Sequence, residues 1–459
     1  MCGIFGVHGH PDATHLAQLG LYSLQHRGQE SVGVVSIDPT GAAHAVRSMG
    51  TLSDSVAREL AKIPGVSAVG HTRYSTSGSS TIENAQPVVA RSKGGYITLA
   101  HNGNLTNAGE LRVDLEDQGS IFSSTNDSEV VVHRLARSNA PTPVARLAEA
   151  LQGVEGAYSL IVAIGDTLLA ARDPRGWRPL AMGKLGDSVV FASETCALDI
   201  IGATTIRDVE PGEIVSVSDA GVESIHPFAA QDLKRCVFEY VYFARPDSRV
   251  YGGSVDRARR ALGRELAKEH PAPTAELVFS VPDSSNSAAL GFAEASGIPY
   301  ELALIRNHYV GRTFIQPTQA GRDAKVKVKY NPVREVLEGK SVVMVDDSIV
   351  RGTTTRGLVA LVRAAGAREV HMRISSPPVT GPCYYGIDTP SRDELIAANN
   401  SIAEIAKHIG VDSLGYLSLE GMLSSVPAGP DGFCHACFSG DYPTTPPTDP
   451  EKLRFGCGC

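Results

Sequence analysis

From 341 to 357 the chain reads SVVMVDDSIVRGTTTRG. A nearly continuous apolar run, the pattern of a strand covered on both faces, stops at two adjacent carboxylates, Asp346 and Asp347. A short loop containing Gly352 follows, and a helix then opens on threonines and runs through LVALVRAAG. Backbone N–H groups and hydroxyls at a helix start suit a phosphate, while carboxylates at the strand end accept hydrogen bonds from sugar hydroxyls or approach Mg2+. Plain helix capping by the aspartates is the alternative. The surroundings repeat the same grammar: AELVFSV (275–281) reads as a strand, NSAALGFAEASG (286–297) as a helix stopped by glycine, and IPYELALI (298–305) and EVHMRISS (369–376) as strands. Strands alternating with helices predict βαβ crossovers and a parallel sheet.

Upstream the grammar differs. GIFGVHG, a helix through THLAQLGLYSLQHRG (14–28), GVVSID, AHAVRSMG and VSAVGHTR lead into a strand-rich region. There YSLIVAIGD, TLLAARD, SVVFASE and EIVSVSD are separated by Gly, Asp and Pro turns, which predicts stacked antiparallel sheet carrying helices. At 459 residues the chain exceeds what one core organises, so two domains are expected, meeting near 227–250. We place them at 2–235 and 236–424, with a Pro- and Gly-rich extension at 425–459 that has no helical or strand periodicity.

Hydrophobic residues at 42% and charged residues at 20% fit a folded globular protein. No apolar run is long enough to span a bilayer and no secretory signal is visible, so no membrane partner and a cytoplasmic location are expected. A net charge of −8 disfavours nucleic acid, although GRDAKVKVKY could hold a small phosphorylated ligand. Eight cysteines in so long a chain point to metal or catalysis rather than a disulfide framework.

One of those cysteines directly follows Met1. Removal of Met1 would leave a thiol and a free α-amine on Cys2, and an amine titrating near neutrality can take the thiol proton without a histidine. Three further stretches support a site. HTRYST (71–76) carries Arg73, suited to a bidentate grip on a carboxylate; HNGNLTN (101–107) carries Asn102 and Gly103, a side-chain amide and a backbone N–H fit for an oxyanion; STNDSE (124–129) offers Asp127 to an ammonium.

Together CGIFG, LQHRGQES, GHTRYST, AHNGNL and NDSE resemble, in order, the glutamine amidotransferases with an N-terminal nucleophile. The resemblance implies a four-layer αββα domain, Cys2 as nucleophile, Arg73 and Asp127 as the grip on glutamine, and Asn102 with Gly103 as the oxyanion hole. The 341–357 stretch resembles the signature of type I phosphoribosyltransferases. By that resemblance Asp346 and Asp347 contact ribose, and Ser348, Ile349, Val350, Arg351, Gly352 and Thr353 wrap the 5′-phosphate. FSVPDSSNSA (279–288) places Ser284 beside the metal, and the long loop 306–332 is a lid whose Lys327 and Lys329 face pyrophosphate. Tyr330 stands where the family commonly has leucine.

The combination is similar to the family of glutamine phosphoribosylpyrophosphate amidotransferases. It implies glutamine and phosphoribosyl pyrophosphate as substrates, ammonia passing through a dry channel, 5-phosphoribosylamine as product, Mg2+, a homotetramer and feedback inhibition by purine nucleotides. FCHACFSG contains a CxxC pair, Cys434 and Cys437, which by spacing alone fits zinc, a redox couple or an iron–sulfur cluster. One branch of the family holds a [4Fe-4S] cluster on cysteines in the contexts of Cys236, Cys383, Cys434 and Cys437, and that cluster is expected here, with zinc the runner-up. Cys196 reads as a core residue, and Cys457 and Cys459 match nothing in the family pattern. Members of that branch often carry a leader cleaved to expose the cysteine; either removal of Met1 suffices here or a leader precedes it natively. The rival readings are an amidotransferase with another acceptor and a ligand-sensing regulator built on a phosphoribosyltransferase fold.

Overall fold

The computed structural model describes residues 1–74, 78–93, 95–309, 328–427, 429 and 431–446. Its first half is built on two antiparallel sheets. One has seven strands, with Gly3–His8 near its centre between Ser67–Arg73 and Ser188–Ala192. The other has six strands, among them Gly95–Leu105 and Gly156–Ile164. Three apolar cores account for the stacking. Helices Ala13–Ser23 and Asp54–Leu60 bury Leu16, Leu21, Val56 and Leu60 against the first sheet. Ile4, Val69, Ala100, Ile161 and Phe191 fill the space between the sheets. Val131, Leu135 and Leu147, from helices Glu129–Arg137 and Pro143–Leu151, cover the outer face of the second sheet. Two sheets with apolar residues on both faces need a helix layer on each outer side, and the expected αββα order follows.

The second half holds a four-stranded parallel sheet in the order Leu277–Ser280, Ser341–Asp346, Glu369–Ile374, Ser413–Tyr416. Its central strand, Ser341–Asp346, is buried along its whole length, as the apolar run predicted. Helices Val255–Glu269 and Asn286–Ser296 are packed against each other so closely that a methyl on Gly263 would stand 1.8 Å from the Ala288 carbonyl oxygen. Among the described residues no helix is long and apolar enough to cross a membrane.

Three local expectations change. The helix expected over 14–28 ends at Ser23. Gln25 Nε2 donates to the Gly28 carbonyl at 2.6 Å and its Oε1 accepts from Leu52 N–H at 2.9 Å, so side-chain bonds pull the segment into a turn. A strand over 298–305 is reduced to a single bridge between Val278 and Tyr300, after which Leu304–Arg306 pairs with Tyr330–Pro332 instead. Pro299 can give no N–H to a ladder, and Leu302 is 64% exposed, so this segment is not covered as an inner strand would be. The tail is also more ordered than its composition implies: Phe433–Cys434 pairs in parallel with Arg235–Cys236, and Ala436–Ser439 forms a helical turn. A two-residue ladder is too short to leave a periodic pattern.

Candidate active site

Pairing of Gly3 with Thr72 sets Cys2 beside Arg73 at the end of the central strands. Cys2 is buried; its Sγ lies 3.6 Å from the Tyr74 carbonyl oxygen and its N–H donates to Asn102 Oδ1 at 3.2 Å. The other end of that amide, Asn102 Nδ2, is buried without a hydrogen-bond partner, a donor held ready next to the thiol. Along the same strand His101 N–H donates to Gln86 Oε1 at 2.8 Å and Leu105 N–H to Asp127 Oδ2 at 2.9 Å, both away from the ladder. Strand alternation turns the intervening Gly103 N–H to that same side. Gly103 itself has φ +154, and a Cβ there would stand 1.9 Å from the Ala157 carbonyl oxygen, so only glycine fits.

Asp127 lies at the end of this strand, where its Oδ1 accepts from Ser128 Oγ at 3.2 Å and faces His101 Nδ1 at 3.7 Å. Burial opposes charge on both groups, yet their mutual attraction prevails: the His101 pKa is raised and that of Asp127 lowered. Arg73 is bound to the Glu30 carboxylate and donates to the Ser79 carbonyl at 3.0 Å. Met1 occupies a closed space below Cys2 with no exposure, its sulfur against Arg178. Burial pushes its terminal amine down to about 4, helped by the charges of Arg178 and Arg27, against the opposing influence of Cys2.

In the second half, Asp346 and Asp347 are buried at the end of Ser341–Asp346. Ser285 Oγ donates to Asp346 Oδ1 at 2.9 Å, and Ser348 Oγ to Asp347 Oδ2 at 2.7 Å. Ser284, the residue expected beside a metal, has its Oγ 3.5 Å from Ser285 Oγ, which in turn also donates to Asp347 Oδ1 at 3.5 Å. Desolvation drives both carboxyl pKa values up, and the Asp347 charge drives that of Asp346 further. Gly352 takes a left-handed conformation, φ +73, at the start of helix Thr353–Ala364, where no side chain caps the first N–H groups. Ile349 and Val350 anchor the loop by packing into two different cores, and the Arg351 guanidinium is turned to Glu394. Lys329 Nζ sits 4.9 Å from the centre of the Tyr330 ring, whose hydroxyl donates to the Pro282 carbonyl at 3.3 Å, next to the Ser284 loop. Lys327, Cys457 and Cys459 lie outside the described residues.

Cys236, Cys383, Cys434 and Cys437 are free thiols that line one pocket, walled also by Trp177, Arg178, Tyr385 and Tyr442. Burial pushes the Cys236 thiol up to about 11 against the lowering effect of the Arg178 charge, and burial together with the neighbouring Cys236 pushes the Cys434 thiol up to about 12. The Trp177 indole N–H is buried and faces the Cys434 sulfur. Among the described residues, no group of three or more His, Cys, Asp or Glu side chains is arranged to hold a metal ion. Cys196 is buried in the first core, as expected.

Several residues of these sites carried no assignment in the sequence. Arg27 and Glu30 lie inside LQHRGQES, so the stretch was visible but the partners were not. Ser285 adjoins the expected Ser284. Glu239, Trp177 and Tyr385 stand in no motif that marks them.

A thiol at the chain start with an amide-lined pocket, on a four-layer sandwich joined to a parallel-sheet unit with paired aspartates, defines a two-part glutamine amidotransferase. A family model described as glutamine amidotransferase domain matches residues 71–199. The amidophosphoribosyltransferase of Bacillus subtilis (strain 168) is 49% identical over 96% of this chain and 94% of its own length. A solved structure titled as the allosteric regulatory enzyme of purine biosynthesis superposes with a TM-score of 0.92, at 49% identity over 98% of this chain and 97% of that one. A second, glutamine phosphoribosylpyrophosphate amidotransferase from B. subtilis complexed with ADP and GMP, gives 0.90 at 47% identity over 98% of both chains. The chain belongs to the amidophosphoribosyltransferase family: it is a glutamine-dependent pentosyltransferase of purine biosynthesis.

Proposed function

We propose that Cys2, freed of Met1, attacks the glutamine carboxamide while its own α-amine takes the thiol proton. An α-amine on Cys2 ordinarily titrates near neutrality, and Asn102 Oδ1, which accepts from Cys2 N–H at 3.2 Å, holds it on the residue that carries the thiol. Asn102 Nδ2 and Gly103 N–H stabilise the tetrahedral oxyanion; collapse expels ammonia and leaves a thioester, which water hydrolyses to glutamate. Asp127 receives the substrate ammonium and Arg73 its carboxylate, with Glu30 steadying the guanidinium. The observation that carries this reading is the buried, unpartnered Asn102 Nδ2 beside the thiol.

Ammonia then attacks the anomeric carbon of phosphoribosyl pyrophosphate as the bond to pyrophosphate breaks. The uncapped start of helix Thr353–Ala364 and the Thr353 hydroxyl hold the 5′-phosphate, and Asp346 and Asp347 orient the ribose. Two buried carboxylates with raised pKa values favour a nearby cation, so Asp346, Asp347 and Ser284 fit Mg2+, which supplies charge neutralisation to the departing pyrophosphate when bound.

Four thiols around one cavity, with the Arg178 guanidinium to offset negative charge, fit a [4Fe-4S] cluster that ties the tail to both halves. Zinc on the same four sulfurs is the runner-up. The reading extends to a cytoplasmic homotetramer inhibited by purine nucleotides, with domains at 2–235 and 236–424 and an extension from 425.

A Cys2→Ala variant tests the nucleophile: glutamine-dependent synthesis should vanish while ammonia-dependent synthesis persists. Survival of both activities, or Met1 retained in every active molecule by mass spectrometry, would refute it.

A further inference from the structure

The strand that carries Asn102 and Gly103 is supported unevenly. Gly156–Ile164 pairs with it along its length, from Ile97 to Leu105, but on its other side Val88–Ser92 pairs only with Gly95 to Leu99. The segment beyond is therefore a sheet edge, and a free edge is a poor platform for donors that must be held to a fraction of an ångström. Gln86 caps it at His101 and Asp127 at Leu105, which leaves Gly103 and Asn104 between them.

That gap is covered from the other half of the chain. Asn104 Nδ2 donates to the Tyr384 carbonyl oxygen at 3.0 Å. Two residues on, Gly386, with φ +106, lies so close that a methyl on it would stand 2.9 Å from the carbonyl carbon and oxygen of Gly103. The loop is itself fixed: Tyr385 stacks on Trp177 at 4.5 Å between ring centroids, and Arg178 donates to the Tyr385 carbonyl. Cys383 begins the same turn, with its sulfur accepting from Tyr385 N–H at 3.3 Å.

We infer that the turn Cys383–Gly386 of the second half is a positioning element for the oxyanion hole, acting through Asn104 and through the backbone contact of Gly386 with Gly103. The glutaminase site is completed by a loop that belongs to the thiol-lined cavity, so the packing of that cavity sets the alignment of the Gly103 N–H. This rests on the reading of Asn102 and Gly103 as the oxyanion donors.

The test compares Asn104→Ala and Gly386→Ala with Asn102→Ala in the full chain, measuring glutamine kcat and KM, ammonia-dependent synthesis, and alkylation of Cys2 by iodoacetamide, which forms no oxyanion. Both loop variants should lower glutamine kcat, by on the order of 10-fold for Asn104→Ala and 100-fold for Gly386→Ala. KM for glutamine, ammonia-dependent synthesis and the alkylation rate should each stay within about threefold, because none of them uses the hole. Unchanged kcat in both loop variants, alongside a large loss in Asn102→Ala, overturns the loop's role. A parallel fall in ammonia-dependent synthesis with Asn104→Ala also overturns it, since that is general destabilisation. No loss in Asn102→Ala instead removes the oxyanion reading itself.

Discussion

Arg27 donates from Nε to the carbonyl oxygen of Cys2 at 2.9 Å and, from the opposite edge of its guanidinium, grips Glu239 at 2.7 Å. Its Nη1 also reaches Glu194 at 2.6 Å, and all three side chains are completely buried. One residue thus joins the backbone of the nucleophile to the π-helical turn Glu239–Phe243 at the start of the second half. Burial opposes its charge, but the two carboxylates prevail and raise its pKa.

Truncating one member of that cluster leaves charge buried without compensation. Glu239→Ala should lower the free energy of unfolding by about 3–5 kcal/mol, read from denaturant midpoints. An undiminished midpoint would show that Glu194 alone satisfies Arg27.

Asp127 has two claimants for its charge, protonated His101 and the substrate ammonium. The pKa of His101 is raised above 6.5, so as pH climbs through that raised value the imidazole loses its proton and Asp127 is released to the substrate. KM for glutamine should therefore fall with rising pH across this window, and His101→Gln should flatten the profile. The sign for stability is opposite: the His101–Asp127 attraction is fully present below the ordinary histidine value and is lost through the raised one. A KM that rises over the same range would contradict the pairing.

Asp346 and Asp347 both have folded pKa values raised above 3.8. A carboxyl raised on folding holds its proton more tightly in the native state, so the pair favours folding at acid pH and that contribution is lost as pH rises through the raised values. Metal-free protein should lose thermal stability between mildly acid and alkaline pH through this pair. Asp347→Asn should reduce that loss, and Mg2+ with pyrophosphate should restore stability at the alkaline end. Identical pH profiles for Asp347→Asn and the unaltered chain would show that the two carboxylates do not repel each other.

Anaerobically purified protein should contain about four irons and four acid-labile sulfides per chain, and Cys236→Ser should remove most of both. Because Cys236 and Cys434 sit on paired strands, the same substitution should speed proteolysis of the tail after Val426. Stoichiometric zinc without sulfide would replace the cluster with the runner-up.

The sequence by itself determined the local chemistry. A thiol behind Met1, the HNGN stretch and a strand ending in Asp346 and Asp347 are contiguous patterns, and backbone periodicity fixes what contiguous residues share. The two sheet types were legible for the same reason, since buried parallel strands read as apolar runs and hairpins announce their turns. Tertiary structure alone decided which partners those groups received. Glu239 meets Arg27 across 212 residues, and Tyr384 meets Asn104 across 280. Nothing in local propensity encodes such contacts, because they arise only when two separately folded cores close on each other. Gly386 shows the limit most clearly: in the sequence it is an ordinary turn glycine, and its need for a missing side chain appears only once Gly103 is packed against it.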